Sequence, residues 1–143
     1  MTSFAPEFEL STDKSRLDID RIEAWIRTTY WAAERPRELI ERSLEHSICV
    51  GAYRQSDGRQ VGFARLVTDF TDFGWVSDVM VDADFRGRGI GRAMVERLVT
   101  QPGFETVRFV LATRDAHGVY EKVGFTQLPR PELWMSRERQ VET

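Results

Sequence analysis

The segment with the strongest chemical signature is Arg86-Gly87-Arg88-Gly89-Ile90-Gly91, in which three glycines are interleaved with two arginines and an isoleucine. Glycine lets the main chain approach a bound anion, because no Cβ lies in the way. The interleaved arginines, and Arg92 after them, can donate charge-assisted hydrogen bonds to phosphate oxygens. A strand pattern precedes the turn and a helical pattern follows it, so the helix N-terminus would favour the same anion. The segment predicts a phosphate-binding turn.

The spacing of these glycines distinguishes between phosphate-containing cofactors. A dinucleotide fingerprint, G-x-G-x-x-G, needs glycine at position 92, which is Arg92, and an acidic residue at the end of the next strand. That strand ends in Thr113-Arg114 instead. A P-loop needs Gly-Lys followed by Ser or Thr, which this turn lacks. A regulatory nucleotide-binding module is therefore disfavoured, and the simplest alternative is a strand-to-helix connection without a ligand.

Apolar periodicity places this turn within a series of strands and helices. Strand patterns cover residues 8–11, 48–53, 61–68, 75–81, 107–113 and, last, 133–135. Helical patterns follow Asp18, Pro36, Gly89 and Asp115, and the side chains of Asp18 and Asp115 are possible N-caps of their helices. Asp57-Gly58 predicts a hairpin between the second and third strands, and Gly124 suits the C-terminal cap of the last helix. The order β-α-α-β-β-β-α-β-α-β predicts an α+β fold, a single domain over residues 1–143 with a mostly antiparallel mixed sheet flanked by helices.

A second motif, Tyr120-Glu121-Lys122-Val123-Gly124-Phe125, follows the glycine-rich turn. In the glycine-rich turn, Arg86, Gly89 and Gly91 fit the motif (Arg/Gln)-x-x-Gly-x-(Gly/Ala). On these two linked motifs the chain resembles the GNAT superfamily of acyl-coenzyme A N-acyltransferases, over nearly its whole length. The resemblance implies acetyl-CoA as cosubstrate and direct acetyl transfer, in a ternary complex, to a primary amine of a small molecule or protein. Thr113 departs from the asparagine that many members carry there.

The resemblance also implies which residues contact the cofactor. The strand segment Val79-Met80-Val81 would pair through its backbone with the pantetheine arm, and Tyr120 would hydrogen-bond the leaving thiolate. Full proton transfer from tyrosine (pKa near 10) to a thiolate (thiol pKa about 8.5) is uphill, so a strengthening hydrogen bond is the better description. A ring packed between helix and sheet is the alternative for Tyr120, and a cofactor-flanking or surface role is expected for His117. The implied set is Val79, Met80, Val81, Arg86, Gly87, Arg88, Gly89, Ile90, Gly91, Arg92, His117 and Tyr120.

Transfer to an amine also needs removal of a proton, because an alkyl amine is neutral in only about one of 10³ molecules at pH 7. A carboxylate beside the reacting carbonyl would serve. Asp78 is the candidate base or ammonium anchor, although the family's usual base position corresponds to Ser77 or Trp75. Strict alternation puts Asp78 on the face opposite Ser77 unless a β-bulge re-aims it. A strand aspartate that orients a neighbouring backbone is an equal alternative.

Recognition of the acceptor is expected in loops that a rigid sheet positions. Aromatic side chains beside carboxylates suit a cationic amine with an apolar part. The candidate substrate-binding residues are Tyr30, Trp31, Glu34 and Phe73, with Asp69, Phe70 and Asp72 in the same turn as Phe73. Cys49 could in principle form an acyl-enzyme, but it lies in an apolar strand without a nearby histidine, which favours core packing.

Composition limits the classes of function. The 143 residues are 41% hydrophobic and 30% charged, which is typical of a globular domain. No apolar run approaches the roughly 20 residues of a membrane-spanning helix, and the N-terminus lacks a secretory pattern, so we expect a cytoplasmic protein without a membrane partner. A net charge of -3 argues against nucleic acid, and one cysteine with two histidines argues against a metal. The sequence is compatible with a homodimer. The alternative function is a non-catalytic acyl-CoA-binding sensor or interaction domain.

Overall fold

The computed structural model describes residues 7–140 as an α+β fold. The strands are β1 (Phe8–Ser11), β2 (Ile48–Arg54), β3 (Gln60–Thr68), β4 (Phe73–Val81) and β5 (Arg108–Val110). The helices are α1 (Ile19–Ile26), α2 (Arg37–Glu45), α3 (Ile90–Val99) and α4 (His117–Glu121). Short 3₁₀ turns form at Lys14–Arg16, Ala83–Phe85 and Pro131–Leu133. The predicted fold class, a mixed sheet flanked by helices, is confirmed.

The five strands form one sheet in the order β1-β2-β3-β4-β5. The first three pairings are antiparallel, and β4 and β5 are parallel, which makes the sheet mixed. The predicted hairpin joins β2 to β3, where Gly58 has a φ of 74° and the Arg54 N–H donates to the Arg59 carbonyl at 2.8 Å. This left-handed φ is why the turn has glycine at this position.

Helices cover both faces of the sheet and bury two apolar clusters. On one face, α3 places Ile90, Met94 and Leu98 against Leu66 and Val76. On the other face, α1 and α2 bury a cluster that contains Ile22, Ile26, Ile40, Phe63 and Met80. Neighbouring strand residues therefore serve opposite clusters, as the two-residue period of a strand requires.

The helix ends largely follow the predicted signals. The Asp18 side chain accepts a hydrogen bond from the Arg21 N–H at 3.1 Å and caps α1, as predicted. Gly124 has a φ of 94° at the C-terminal end of α4, also as predicted. Asp115 was expected to cap α4 at its start, but the Thr113 hydroxyl accepts the Ala116 N–H there, at 3.0 Å.

The predicted last strand at 133–135 is wrong. Residues 131–133 form a 3₁₀ turn instead, and Met135 is 96% exposed. Pro129 and Pro131 remove two N–H donors in this region, and Arg130 between them has a φ of 54°, so the backbone is bent where a strand would begin. Strand β5 is also shorter than the predicted 107–113.

Candidate active site

A β-bulge at Asp78 shapes the centre of β4. The register with β3 passes from Met80↔Phe63 to Ser77↔Arg65, so β4 has one more residue than β3 between these pairs. Asp78 has a φ of 53°, a left-handed value that is uncommon outside glycine. Arg65 donates to both the Asp78 carboxylate and the Ser77 hydroxyl, so the two side chains lie on the same face. The bulge has re-aimed Asp78, as the sequence allowed but did not require.

Strands β4 and β5 diverge close to this bulge. Their parallel pairing ends at Trp75↔Val110, whereas β4 continues to Val81. The Asp82 N–H donates to the Val61 carbonyl of β3 at 2.8 Å, so by alternation the main chain of Val81 points away from β3. This side of β4 is where β5 would pair if its ladder continued. The divergence therefore exposes a strand edge to an extended ligand.

A cleft of about 1450 Å³ runs along β5 and α4. Its walls include predicted site residues from separate parts of the chain, namely Phe73, His117 and Tyr120. His117 is exposed at the first position of α4. Phe73 lies at the start of β4, about 16 Å along the strand from Asp78 at roughly 3.3 Å per residue. The structure therefore separates Phe73 from the other acceptor candidates.

The glycine-rich turn has the backbone geometry of an anion site. Gly87 and Gly89 have φ values of 80° and 79°, and Gly89 is the N-cap of α3. A Cβ built on either glycine would meet no heavy atom within 4 Å, so the space in front of the turn is open. The first N–H groups of α3 have no partner within the helix, which leaves them free to bind an anion.

The arginines of this turn are exposed. Arg86 Nε donates to the Val81 carbonyl at 3.2 Å, which ties the turn to the end of β4. Arg88 forms an exposed ion pair with Glu7 at 3.2 Å, and its guanidinium lies 5.3 Å from the Phe85 ring centroid. Arg92 follows on the first turn of α3. Positive charge thus surrounds the open space, although the contacts of these residues with a cofactor stay a prediction.

The strand residues predicted to contact the cofactor turn their side chains into the two apolar clusters, so a ligand could reach them only through the main chain. Met80 is buried in the cluster under α1 and α2, whereas Val79 and Val81 pack towards α3. Ile90 is also buried in the α3 cluster. These apolar side chains hold the segment in place, and their backbone groups are what a ligand could reach.

Asp78 lies in a buried ionic cluster and is only 4% exposed. Its carboxylate accepts hydrogen bonds from Trp31 Nε1 at 2.8 Å, Arg35 Nη1 at 2.8 Å and Arg65 Nε at 2.7 Å. Burial by itself would raise its pKa, but the hydrogen bonds and charges of the two arginines outweigh burial and hold the pKa below 3.8. A carboxylate in this state is a weak proton acceptor. This environment is unfavourable for the predicted base role, which stays a prediction, and the carboxylate holds three side chains rather than the neighbouring backbone of the alternative.

Arg35 and Arg65 are functional candidates that the sequence interpretation missed. Arg65 stands inside the apolar strand β3, and Arg35 precedes Pro36 at the start of α2. A charged residue within a buried strand needs a partner of opposite charge, so Arg65 was a detectable signal for a buried acidic residue. Its second contact, from Nη1 to the Ser47 hydroxyl at 3.1 Å, links the cluster to the start of β2.

Tyr120 is partly buried and packs against Phe125, with ring centroids 6.1 Å apart in an edge-to-face arrangement. Burial raises its pKa, and the nearby Tyr30 phenol and Asp115 raise it further. Tyr120 is therefore protonated at neutral pH and able to donate a hydrogen bond. The Tyr30 hydroxyl accepts the Arg114 N–H at 2.9 Å, which brings the α1–α2 connector to the loop before α4. Glu34, on the same connector, is exposed.

Cys49 is buried in β2, and burial raises its thiol pKa from 9.0 to about 11. Such a thiol is almost wholly protonated at neutral pH, which suits the interpretation of Cys49 as a core residue. Within residues 7–140 no group of three or more His, Cys, Asp and Glu side chains is arranged to hold a metal ion. In the same residues, no helix has both the length and the apolar character to cross a membrane.

Comparison with known proteins defines the class. The family model of the acetyltransferase (GNAT) domain matches residues 45–127, and the chain belongs to the GNAT family. A crystal structure of a GNAT-family protein from Xanthomonas campestris superposes with a TM-score of 0.87 at 40% identity, covering 94% of both chains.

Two curated relatives carry N-acetyltransferase names. Serotonin N-acetyltransferase 2 of Oryza sativa is 36% identical over 101 residues, which is 66% of this chain and 50% of that protein. The uncharacterized N-acetyltransferase ycf52 of Porphyra purpurea is 30% identical over 101 residues, 67% of this chain and 58% of that protein. The chain thus spans only 50% to 58% of the length of these two relatives.

Proposed function

We propose that this protein transfers an acetyl group from acetyl-CoA to a primary amine of a small molecule or protein. The observation that carries the proposal is the divergence of β4 from β5 beside a glycine-rich helix N-terminus. It combines a strand edge for an extended, amide-containing chain with an open, positively charged turn for phosphates. Membership of the GNAT family supports the same assignment.

The residues present fit coenzyme A, because its phosphates and its pantetheine arm each find a matching surface. The N–H groups of residues 86–91 would hold the pyrophosphate, with Arg92 beside them. The main chain of Val79 and Val81 would hold the amides of the pantetheine arm. The bound thioester supplies an activated acetyl group.

Tyr120 would supply the hydrogen bond to the sulfur atom. Its raised pKa keeps the phenol protonated, and its place on the cleft wall puts it beside the diverging strands. The bond would gain strength as negative charge develops on sulfur, which lowers the barrier more than it tightens binding. Tyr120→Phe should lower kcat about 10² to 10⁴-fold while the Kd for acetyl-CoA stays unchanged. Unchanged kcat in this variant would remove Tyr120 from the mechanism.

In this scheme Asp78 is not the base. The substrate amine therefore loses its proton to solvent. Turnover should then rise about tenfold per pH unit below the pKa of the amine, following the neutral fraction. A plateau well below that pKa would show that a side chain removes the proton.

The direct test is incubation with acetyl-CoA and a panel of primary amines, with release of free thiol measured and the acetylated product identified by mass spectrometry. Serotonin is a rational first acceptor because the name of one relative contains it. Acetyl-CoA should raise the melting midpoint more than NAD or ATP does, by several degrees at a hundredfold excess over Kd. Binding without product from any amine or protein would favour the sensor alternative.

A further inference from the structure

The connector between α1 and α2, residues 27–36, is fastened on both sides of the diverging strands; we call it the strap. On the β4 side, Trp31 Nε1 and Arg35 Nη1 donate to Asp78, each at 2.8 Å. On the other side, the Tyr30 hydroxyl accepts the main-chain N–H of Arg114 at 2.9 Å, in the loop between β5 and α4. Neighbouring residues of the strap thus reach β4 and the loop that follows β5.

The β4 attachment is rigid because Asp78 is itself held. Arg65 binds the carboxylate from β3, and the same guanidinium contacts the Ser47 and Ser77 hydroxyls. The bulge directs the carboxylate to this face of the sheet, where both arginine side chains are at most 12% exposed. Buried, multiply bonded charges have few alternative arrangements, so the strap inherits a fixed position.

The strap presents two aromatic rings to solvent while their polar atoms are occupied. Tyr30 and Trp31 are 49% and 42% exposed, and their rings meet edge to face with centroids 5.0 Å apart. The Arg114 guanidinium covers part of Tyr30, 3.9 Å from the ring centroid. The indole N–H donates to Asp78 and the Tyr30 hydroxyl accepts the Arg114 N–H, so each side chain is held by its polar end while part of its ring faces solvent. The Arg114 contact also brings Tyr30 to the loop that leads into α4, the helix that carries Tyr120.

We propose that Asp78 is a positioning residue that holds Trp31, and with it Tyr30, as an aromatic wall beside Tyr120, and that acceptors whose primary amine is carried on an aromatic body pack against this wall. The inference rests on the proposed function and narrows its substrate class. It also gives the buried cluster a role other than proton transfer.

The first test uses variants that keep an aromatic ring and remove the polar group that anchors it; Tyr30→Phe removes only the hydroxyl, and Trp31→Phe replaces the indole with a smaller ring that has no N–H. Trp31→Phe and Tyr30→Phe should each raise the KM for an arylalkyl amine about three- to tenfold, the size of one lost hydrogen bond, with kcat within about twofold. The KM for a small alkyl amine and the Kd for acetyl-CoA should stay unchanged. Tyr53→Phe is the matched control, because its hydroxyl is buried in β2 and has no hydrogen-bond partner within residues 7–140. If KM rose equally for both amines, or for neither, the proposal that this wall binds the aromatic part of the acceptor would be wrong.

Asp78→Asn separates positioning from proton transfer. Its KM for the arylalkyl amine should rise while the pH profile of kcat keeps the wild-type shape. Loss of kcat that recovers at high pH, with KM unchanged, would restore Asp78 as a base and overturn the inference. If this variant does not fold, Trp31→Phe decides, since it leaves both arginine contacts of Asp78 intact.

Hydrogen exchange keeps this inference separate from the proposed function. Residues 27–36 should exchange faster in Trp31→Phe and Tyr30→Phe than in wild type or Tyr53→Phe, with no acceptor needed. If the wild-type protein acetylates no amine, the proposed function fails, and the wall fails with it as an acceptor site. Unchanged exchange in both variants would instead overturn the anchoring of the strap while leaving acetyl transfer intact.

Discussion

The protein uses arginine in two contrasting environments a short distance apart along β4. Arg86, Arg88 and Arg92 surround the glycine-rich turn and are exposed, whereas Arg35 and Arg65 are buried around Asp78. Exposed charges remain free to meet a mobile anion and cost little when they are unpaired. Buried charges must be paired, and removing one partner is costly. The comparison predicts anion binding for the first group and an architectural role for the second.

The largest expected effect is on the buried group. Asp78→Asn should lower the free energy of unfolding by about 3 to 5 kcal/mol, because it leaves two arginines without their counter-charge. Denaturant titration measures this loss. The control is Asp57→Asn, an exposed partner of Arg54 in the β2–β3 hairpin, which should change stability far less. Similar losses in the two variants would mean that burial does not distinguish the two kinds of ion pair.

The pH dependence of stability should show the same cluster. The folded-state pKa of Asp78 lies below 3.8, so its contribution is fully present above pH 3.8 and is lost as pH falls below that value. The stability difference between wild type and Asp78→Asn should therefore shrink as the pH is lowered from 4. Unfolding midpoints measured between pH 7 and pH 3 test the sign. A difference that grows on acidification would contradict the ionised state of the buried carboxylate.

A third prediction compares two glycines with the same backbone conformation. Gly89→Ala and Gly58→Ala both place a Cβ on a left-handed residue in open space, at φ values of 79° and 74°. Each should cost about 1 to 2 kcal/mol of stability. The Gly89 variant should in addition weaken acetyl-CoA binding at least tenfold, because its Cβ enters the approach of the phosphates. Calorimetric affinities that fall equally in both variants would leave the turn as a simple connection.

The smallest effect is expected from the exposed group. Arg92→Gln should weaken acetyl-CoA binding about three- to tenfold at low salt, with a smaller difference at high salt, and leave the melting midpoint unchanged. Affinity measured at two ionic strengths tests this. A lower melting midpoint with unchanged affinity would show that Arg92, like Arg35 and Arg65, has a structural role. It would contradict the division between exposed binding arginines and buried structural ones.

Short-range signals explain why much of the fold was predictable. The Asp57-Gly58 turn, the Asp18 cap and the Gly124 cap each act within a few residues, so the local chain is sufficient to specify them. The glycine-rich turn is of the same kind, since its conformation depends on glycine at positions 87 and 89. The last strand failed for the opposite reason. A strand at 133–135 must pair with a neighbouring strand. Pro129 and Pro131 lack N–H donors, so they disfavour such pairing at the point where this strand would begin.

The sequence by itself determined the order of elements as far as α4, the glycine-rich turn and the family motifs. The tertiary structure decided what Asp78 does. Its partners Trp31, Arg35 and Arg65 are 47, 43 and 13 residues away in the chain. The protonation state and reach of a carboxylate depend on burial, on nearby charges and on the direction of its side chain. Here one extra residue in β4 sets that direction, and it places the carboxylate where Trp31 and Arg35 of the strap donate to it.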